Sequence, residues 1–333
     1  MKKKKGNICI LGKGSIGIRH GKFFNNFGYN VIFFRERKKK LKLKINYNCK
    51  EIYDLNELKK KNIDLFVISN PTSKHFESVR KIFKKNINIL IEKPLVSNYQ
   101  DFLKLKSLYE KSNINIFVGY QLRHDPRIKI IKHIISKKNK KIRYANFKLK
   151  TYMPNWHPWE DYKTSYAAQK KLGGGVLLTC SHEIDLACNL FGEAKKVFCL
   201  KTKSSLKTSV ENSIILIIQH YTGVVSNLLL DFACTSSDQE ERIFQIVLEN
   251  KEIVCDLKKR NIILKSTNNL KIIKPKIQVS VNNIYNYQNS EILKKINKLN
   301  KTKRPKFKTI SNAERVIFAA KKSMKSQKFE KLN

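Results

Sequence analysis

The segment Asn7–Leu11 followed by Gly12-Lys13-Gly14-Ser15-Ile16-Gly17 constrains this chain more than any other stretch. A short apolar β-branched run enters a G-x-G-x-x-G turn, and a helical pattern over 16–27 leaves it. In that context the three glycines have separate tasks. Gly12 allows a tight turn, Gly14 lets backbone approach a pyrophosphate, and Gly17 lets the helix pack closely on the strand. Ser15 and Ile16 fall in the first turn, where unpaired N–H groups and the helix dipole favour a phosphate. Further apolar runs at 31–34, 65–69, 87–91 and 114–119 alternate with helical patterns at 73–85 and 99–111. Such alternation predicts a parallel, doubly wound sheet, buried on both faces.

Beyond residue 121 the pattern changes. Asp125-Pro126 opens a helix with proline at its first position, and 142–152 alternates like a strand with one wet face. Runs at 195–201, 213–220, 223–231, 242–248, 252–256 and 260–265 follow too closely for crossover helices. They predict a largely antiparallel open sheet, hence an α+β second domain. Helical patterns near 284–299 and 311–326 close the chain. The expected division is a Rossmann domain over 1–121, an α+β domain over 122–310, and a last helix over 311–333 returning to the first domain. At 333 residues there is room for both cores.

The formal charge of +43 would ordinarily suggest nucleic acid or an anionic membrane. Against that, the basic residues are 58 Lys and only 11 Arg, spread from Lys2 to Lys331. Nucleic-acid recognition favours clustered arginine forks. Lys, Asn and Ile share A/T-rich codons, and genome composition accounts for the excess. No nucleic-acid partner is expected. No apolar stretch reaches the 18 residues of a membrane span, and Gly12, Lys13, Gly14 and Arg19 break up any signal-like core. Seven scattered cysteines without CxxC spacing read as buried thiols in a reducing, cytoplasmic compartment. No metal site is indicated.

Other candidates lie where the parallel strands end. After the second strand stand Arg35, Glu36 and Arg37, where an acidic residue would otherwise meet a ribose 2′-hydroxyl. Two arginines there suit a 2′-phosphate, so the cofactor expected is NAD(P), with NADP favoured. Asn70, Pro71 and His75 follow the third apolar run, and Glu92-Lys93-Pro94 follows the fourth. A lysine at such a strand end can hold a hydroxyl and share its proton. The loop carrying Trp156, His157, Trp159 and Tyr162 offers rings that stack on sugars, or else a small loop core. Arg123 suits a substrate carboxylate or phosphate, or braces the domain junction. His20, His133 and His220 show no partner pattern.

Taken together, the glycine motif, Asn70-Pro71 with His75, Glu92-Lys93-Pro94, Gly119-Tyr120-Gln121-Leu122-Arg123-His124-Asp125-Pro126 and Gly173-Gly174-Gly175 with His182-Glu183-Ile184-Asp185 resemble the glucose-fructose oxidoreductase/inositol dehydrogenase-like (Gfo/Idh/MocA) family. The stretch 152–168 and the following GGGVLLTCSHEID look like a branch found in bacterial surface-polysaccharide and nonulosonic acid pathways. The resemblance covers essentially the whole chain. It implies hydride transfer on a sugar, nucleotide sugar or sialic-like acid precursor, and a homo-oligomer formed through the second-domain sheet. It assigns the substrate carbon to Lys93 and His182. Asn70, Pro71, His75, Glu92 and Lys93 fall beside the cofactor. Many relatives carry an aspartate three or four residues before the histidine, where Leu178 and Thr179 stand here. Asp185, one turn beyond His182, reaches the same helix face. That substitution leaves a second reading open: a non-catalytic sensor or scaffold that keeps the cofactor site.

Overall fold

The computed structural model describes residues 5–36, 45–84, 86–136, 141–156, 161–235, 240–259, 261–277, 279–298 and 304–332. They fall into two compact units. The first holds residues 1–119 and 285–310, the second 120–284 and 311–333.

In the first unit six parallel strands are β1 (Asn7–Leu11), β2 (Asn30–Phe34), β3 (Lys50–Ile52), β4 (Leu65–Ile68), β5 (Asn88–Glu92) and β6 (Asn115–Gly119). Their spatial order is β3-β2-β1-β4-β5-β6, with all neighbours parallel. The order reverses between β1 and β4, so the loops leaving those strands open a crevice at the carboxyl edge. Central strands β1 and β4 are almost wholly buried, as their unbroken apolar runs require. Between strands run α1 (Ser15–Asn26), α2 (Leu55–Lys59), α3 (His75–Ile82) and α4 (Tyr99–Glu110). The short pair β3 and α2 is absent from the sequence reading, since Lys50–Ile52 offers only one buried residue to signal a strand.

The second unit is built on a nine-stranded sheet. Its elements are α5 (Pro126–Ser136), β7 (Ile142–Lys150), α6 (Val176–Thr179), α7 (Ser181–Phe191), β8 (Ala194–Lys201), β9 (Ser213–His220), β10 (Val225–Asp231), β11 (Glu241–Leu248), β12 (Glu252–Asp256), β13 (Asn261–Ser266) and β14 (Asn269–Ile273). Toward the end of the chain come α8 (Val281–Lys298) and α9 (Phe307–Ile310), whose residues 285–310 belong to the first unit, and then α10 (Asn312–Ser326) and β15 (Glu330–Lys331) of the second. The order β14-β13-β12-β11-β7-β10-β9-β8-β15 is antiparallel except where β10 runs parallel to β7. Alternation places Phe147, Leu216, Ile218, Leu228, Leu230 and Phe244 inside, against helices. The opposite face leaves Tyr144, Leu200 and Ile215 exposed.

The C-terminal part of the chain departs from the expected division. The last helix does not join the first unit: α10 packs on β8 and α7, Ser323 Oγ accepts the Cys199 N–H at 3.0 Å, and β15 extends the sheet beside β8. The segment that joins the first unit is 285–310. Ile292 and Leu293 of α8 enter the core formed by Ile8, Phe24, Val31 and Phe33. Tyr109 Oη donates to the Pro305 carbonyl at 2.8 Å, and Arg304 stacks over the Tyr109 ring at 4.1 Å. Both helices are amphipathic, and periodicity alone does not say which core receives them.

Candidate functional site

The glycine turn behaves as its spacing requires. Gly12 has φ +111°, and a Cβ there would lie 2.6 Å from the Asn70 nitrogen, so only glycine closes this turn against β4. A Cβ on Gly17 would stand 1.9 Å from the Gly12 carbonyl oxygen, which fixes how tightly α1 rides on the turn. Gly14 differs. It caps α1 in an extended conformation, and a Cβ built on it meets nothing within 4 Å. Gly14 and Ser15 are exposed, and α1 has no acidic residue in its first turn. An open backbone surface at a 12-residue helix's N-terminus fits a pyrophosphate. The dinucleotide's phosphates would therefore be held by Gly14, Ser15, Ile16 and the turn around them.

The strand-end loops are braced from below. The His75 ring is buried, with Nδ1 3.0 Å from the Pro94 carbonyl and Nε2 2.9 Å from that of Asn70. Burial lowers its pKa, while the carbonyls of Asn70, Leu95 and Pro94 and the Glu92 charge pull the other way. His75 thus ties the Asn70 loop to the Lys93-Pro94 loop. Asn70 Nδ2 donates to Ser78 Oγ at 2.7 Å, and Pro71 is exposed at the rim. Glu92 is buried and lies 2.8 Å from His20 Nε2, whose Nδ1 lies 3.2 Å from Asn289 Oδ1. His20, expected to have no patterned partner, is therefore the neighbour of the carboxylate next to Lys93. Lys93 itself is half-buried at the carboxyl end of β5.

At the far end of the crevice Arg35 Nη1 donates to Glu51 Oε2 at 2.8 Å. Lys13 and Tyr53 also bond to Glu51. Burial would raise the Glu51 carboxyl, but bonds from Lys13, Tyr53 and Arg35 bring it to about 2. Glu51 lies on β3, the strand missed in the sequence. Arg37 lies outside the described residues.

In the second unit the Gly173–Gly175 turn feeds α6 and then α7. Gly175 has φ +105°, and its Cβ would strike the Glu211 carboxylate at 2.4 Å. Beside the turn, Gln169, Lys170, Lys171 and Ser209 line an open depression of about 580 Å³. His182 sits in the first turn of α7, 4% exposed, edge-on to the Tyr120 ring at 5.9 Å. Tyr120 Oη donates to Glu314 Oε1 at 2.7 Å. Asp185 is paired with an arginine. Arg123 Nε donates to Asp185 Oδ2 at 2.7 Å, and its Nη2 bonds to Oδ1. Burial pushes the Asp185 carboxyl up, and the Arg123 guanidinium opposes that rise. This two-pronged pair fixes the orientation of both groups. Arg123 also lies over the Tyr120 ring at 5.3 Å. Tyr120, beside His182, is thus also tied to Glu314 and lies under Arg123, which Asp185 holds. Tyr120 stood within a quoted motif, but nothing in sequence linked it to Glu314.

Thr179, in the place of the expected aspartate, donates its N–H to the Gly175 carbonyl at 2.9 Å. In the aromatic loop, Trp156 Nε1 donates to Thr151 Oγ1 at 2.7 Å and its ring packs edge-on against Phe232 at 4.7 Å, a small loop core. Tyr162 is half-buried. His157 and Trp159 lie outside the described residues. Among the described residues no cluster of three His, Cys, Asp or Glu side chains could hold a metal, and no helix is long and apolar enough to cross a membrane.

A parallel sheet with this strand order, an open glycine turn, and a second unit on a mostly antiparallel sheet define a dinucleotide-binding oxidoreductase class. Residues 6–120 match the GFO/IDH/MocA oxidoreductase family with an NAD-binding Rossmann fold, and residues 141–254 match the GFO/IDH/MocA C-terminal domain. The chain belongs to this family. Myo-inositol 2-dehydrogenase of Thermotoga maritima is 24% identical over 194 residues, 56% of this chain and 55% of that protein. The chain thus spans about half the length of that curated relative. Among solved structures, levoglucosan dehydrogenase in complex with NADH superposes with a TM-score of 0.83 at 14% identity, covering 98% of this chain and 99% of that one. An oxidoreductase domain protein from Kribbella flavida superposes with a TM-score of 0.84 at 15% identity, covering 99% and 100%. At such identity these two likenesses speak for the fold.

Proposed function

We propose that this chain is an NAD(P)-dependent dehydrogenase or reductase acting on a CH–OH group of a sugar, nucleotide sugar or sialic-like acid precursor. Open backbone at Gly14, where an added Cβ would meet nothing within 4 Å, is the observation that carries the cofactor half of the reading. The relatives support the substrate half, since one is a myo-inositol 2-dehydrogenase and another a levoglucosan dehydrogenase, and the latter's complex with NADH supports the cofactor half. A role in surface-polysaccharide biosynthesis rests on the sequence of the 152–168 stretch and the GGGVLLTCSHEID that follows it.

When bound, the nicotinamide dinucleotide accepts or returns the hydride. His182 takes the hydroxyl proton on its imidazole as the carbinol becomes a carbonyl. Tyr120, fixed by Glu314, holds the imidazole edge-on. The Lys93 ammonium orients and polarises the substrate oxygen, on a loop that His75 and the buried Glu92 brace. Arg123 is held on Asp185 and presents a one-third-exposed side chain, suited to a carboxylate or phosphate of the substrate. The exposed sheet face with Tyr144, Leu200 and Ile215 suits a second copy of the chain, making a dimer or tetramer.

A panel of oxidised and reduced sugars, nucleotide sugars and nonulosonic acid precursors, followed at 340 nm with either cofactor, tests the reading. The expected result is turnover on one member of the panel. Cofactor binding with no turnover on any of them would favour the sensor or scaffold reading, for which Thr179 in place of an aspartate speaks.

A further inference from the structure

We infer that Glu51 makes the adenosine end of the cofactor site accept a ribose 2′-hydroxyl and reject a 2′-phosphate, so that this chain takes NAD over NADP. The inference rests on the dinucleotide-binding reading above and deepens it. It reverses the expectation drawn from Arg35 and Arg37.

The argument begins with register. β3 pairs in parallel with β2, with Phe33 opposite Glu51 and Phe34 opposite Ile52, and the Arg35 N–H donates to the Ile52 carbonyl at 3.0 Å. Glu51 therefore stands beside the end of β2, one strand further out than the acidic residue such sites carry on β2 itself. Its Oε1 bonds to Lys13, the residue between the first two motif glycines. Its Oε2 takes Arg35 at 2.8 Å and also Tyr53. One carboxylate thus bridges the glycine turn and the end of β2, the two places an adenosine ribose must touch. Lys13, Arg35 and Glu51 are all largely covered, with side chains 15%, 13% and 23% exposed.

Charge decides the preference. Among the described residues, Lys13 and Arg35 are cations placed to hold a 2′-phosphate, and Glu51 is bonded to both. A dianionic phosphate arriving here would have to break those bonds and then lie against the displaced carboxylate. A ribose hydroxyl meets no such penalty. A carboxylate accepts about four hydrogen bonds, and these three donors leave room for an O–H. Bonds from Lys13, Tyr53 and Arg35 lower the Glu51 carboxyl to about 2, so it carries its charge at neutral pH.

The test uses the purified full chain and two probes that carry only the adenosine half, ADP-ribose and 2′-phospho-ADP-ribose, titrated by calorimetry. Wild-type protein is expected to bind ADP-ribose at least about tenfold more tightly. Glu51→Gln keeps the shape but removes the charge, and should shift the ratio toward the phosphorylated probe by about tenfold or more. A wild-type preference for the phosphorylated probe overturns the inference, as does an unchanged ratio in a Glu51→Gln protein that still binds. If Glu51→Gln does not fold, the wild-type ratio alone decides. Failure of both probes to bind the wild type sinks the dinucleotide reading itself, and the inference falls with it.

Discussion

Gly14 and Gly17 stand three residues apart in one motif, yet valine at the first and alanine at the second should fail for opposite reasons. At Gly14 the added side chain meets no protein atom within 4 Å, and the backbone is already extended at φ −83°. Losing glycine from the cap position costs up to about 1 kcal/mol, and a stiffer unfolded chain returns about 0.4–1 kcal/mol. Stability should therefore change by less than about 1 kcal/mol. The new methyl groups, however, occupy the surface where a pyrophosphate meets the helix N–H groups. Two such charge-assisted bonds are worth about 1.5–3 kcal/mol each, so affinity should fall at least about 100-fold. At Gly17 the alanine Cβ would sit 1.9 Å from the Gly12 carbonyl oxygen and 2.7 Å from Ser69 Oγ. Overpacking of this kind costs about 1–3 kcal/mol, or roughly 2–4 °C of Tm per kcal/mol. The assay is a thermal melt beside a calorimetric titration with NADH and NADPH. Gly14→Val should melt like the wild type and bind neither nucleotide measurably. Gly17→Ala should melt lower and bind weakly because the turn has moved. A folded Gly14→Val protein with wild-type affinity would refute the placement of the phosphates, and an unshifted melt for Gly17→Ala would refute the packing argument.

Three further outcomes follow from the same geometry. His182→Ala should lower turnover by about 10²–10⁴-fold with nucleotide affinity unchanged, whereas Lys93→Ala should lower turnover and also raise KM; steady-state kinetics on the substrate found at 340 nm separates the two, and wild-type turnover by His182→Ala would remove it from the chemistry. Tyr120→Phe deletes the donor that Glu314 accepts at 2.7 Å in a fully buried setting, and should destabilise the protein by about 1–3 kcal/mol in urea melts; an unchanged midpoint would count against it. Burial lowers His220 to about 4, with Nδ1 2.9 Å from the Gly192 carbonyl and Nε2 2.9 Å from Ser226 Oγ. Since the folded value lies below the 6.5 of a free imidazole, the unfolded chain takes up the proton first. The neutral ring's contribution is therefore intact above pH 6.5 and is lost as pH falls toward 4, by about 3 kcal/mol. Melts of wild type and His220→Gln across that range should show the loss only in the wild type.

Much of the first unit was legible because a buried parallel strand has no wet face. Its run of apolar residues is unbroken, as in Asn7–Leu11 and Leu65–Ile68, and its ends are marked by glycine, asparagine or a charge. The packing roles of Gly12 and Gly17 were legible for the same reason: a missing side chain is a statement about backbone approach, and spacing carries it. The alternating strands of the second sheet could be read from period two. What the sequence did not carry were relations between distant residues. β3 is three residues long and Glu51 carries no motif of its own, so the pairing with Lys13 and Arg35 had no local trace. Arg35 alone suggested a phosphate ligand; only the fold put a carboxylate on it. Asp185 is one helical turn from His182, and that spacing suggested a partnership, but side-chain direction gave Asp185 to Arg123, 62 residues away. Tyr120 and Glu314 meet across 194 residues. The last two helices show the same boundary. Each declares an apolar face through its own periodicity, while the choice of core depends on which sheet face is still uncovered once the chain has folded, and that is decided by tertiary structure alone.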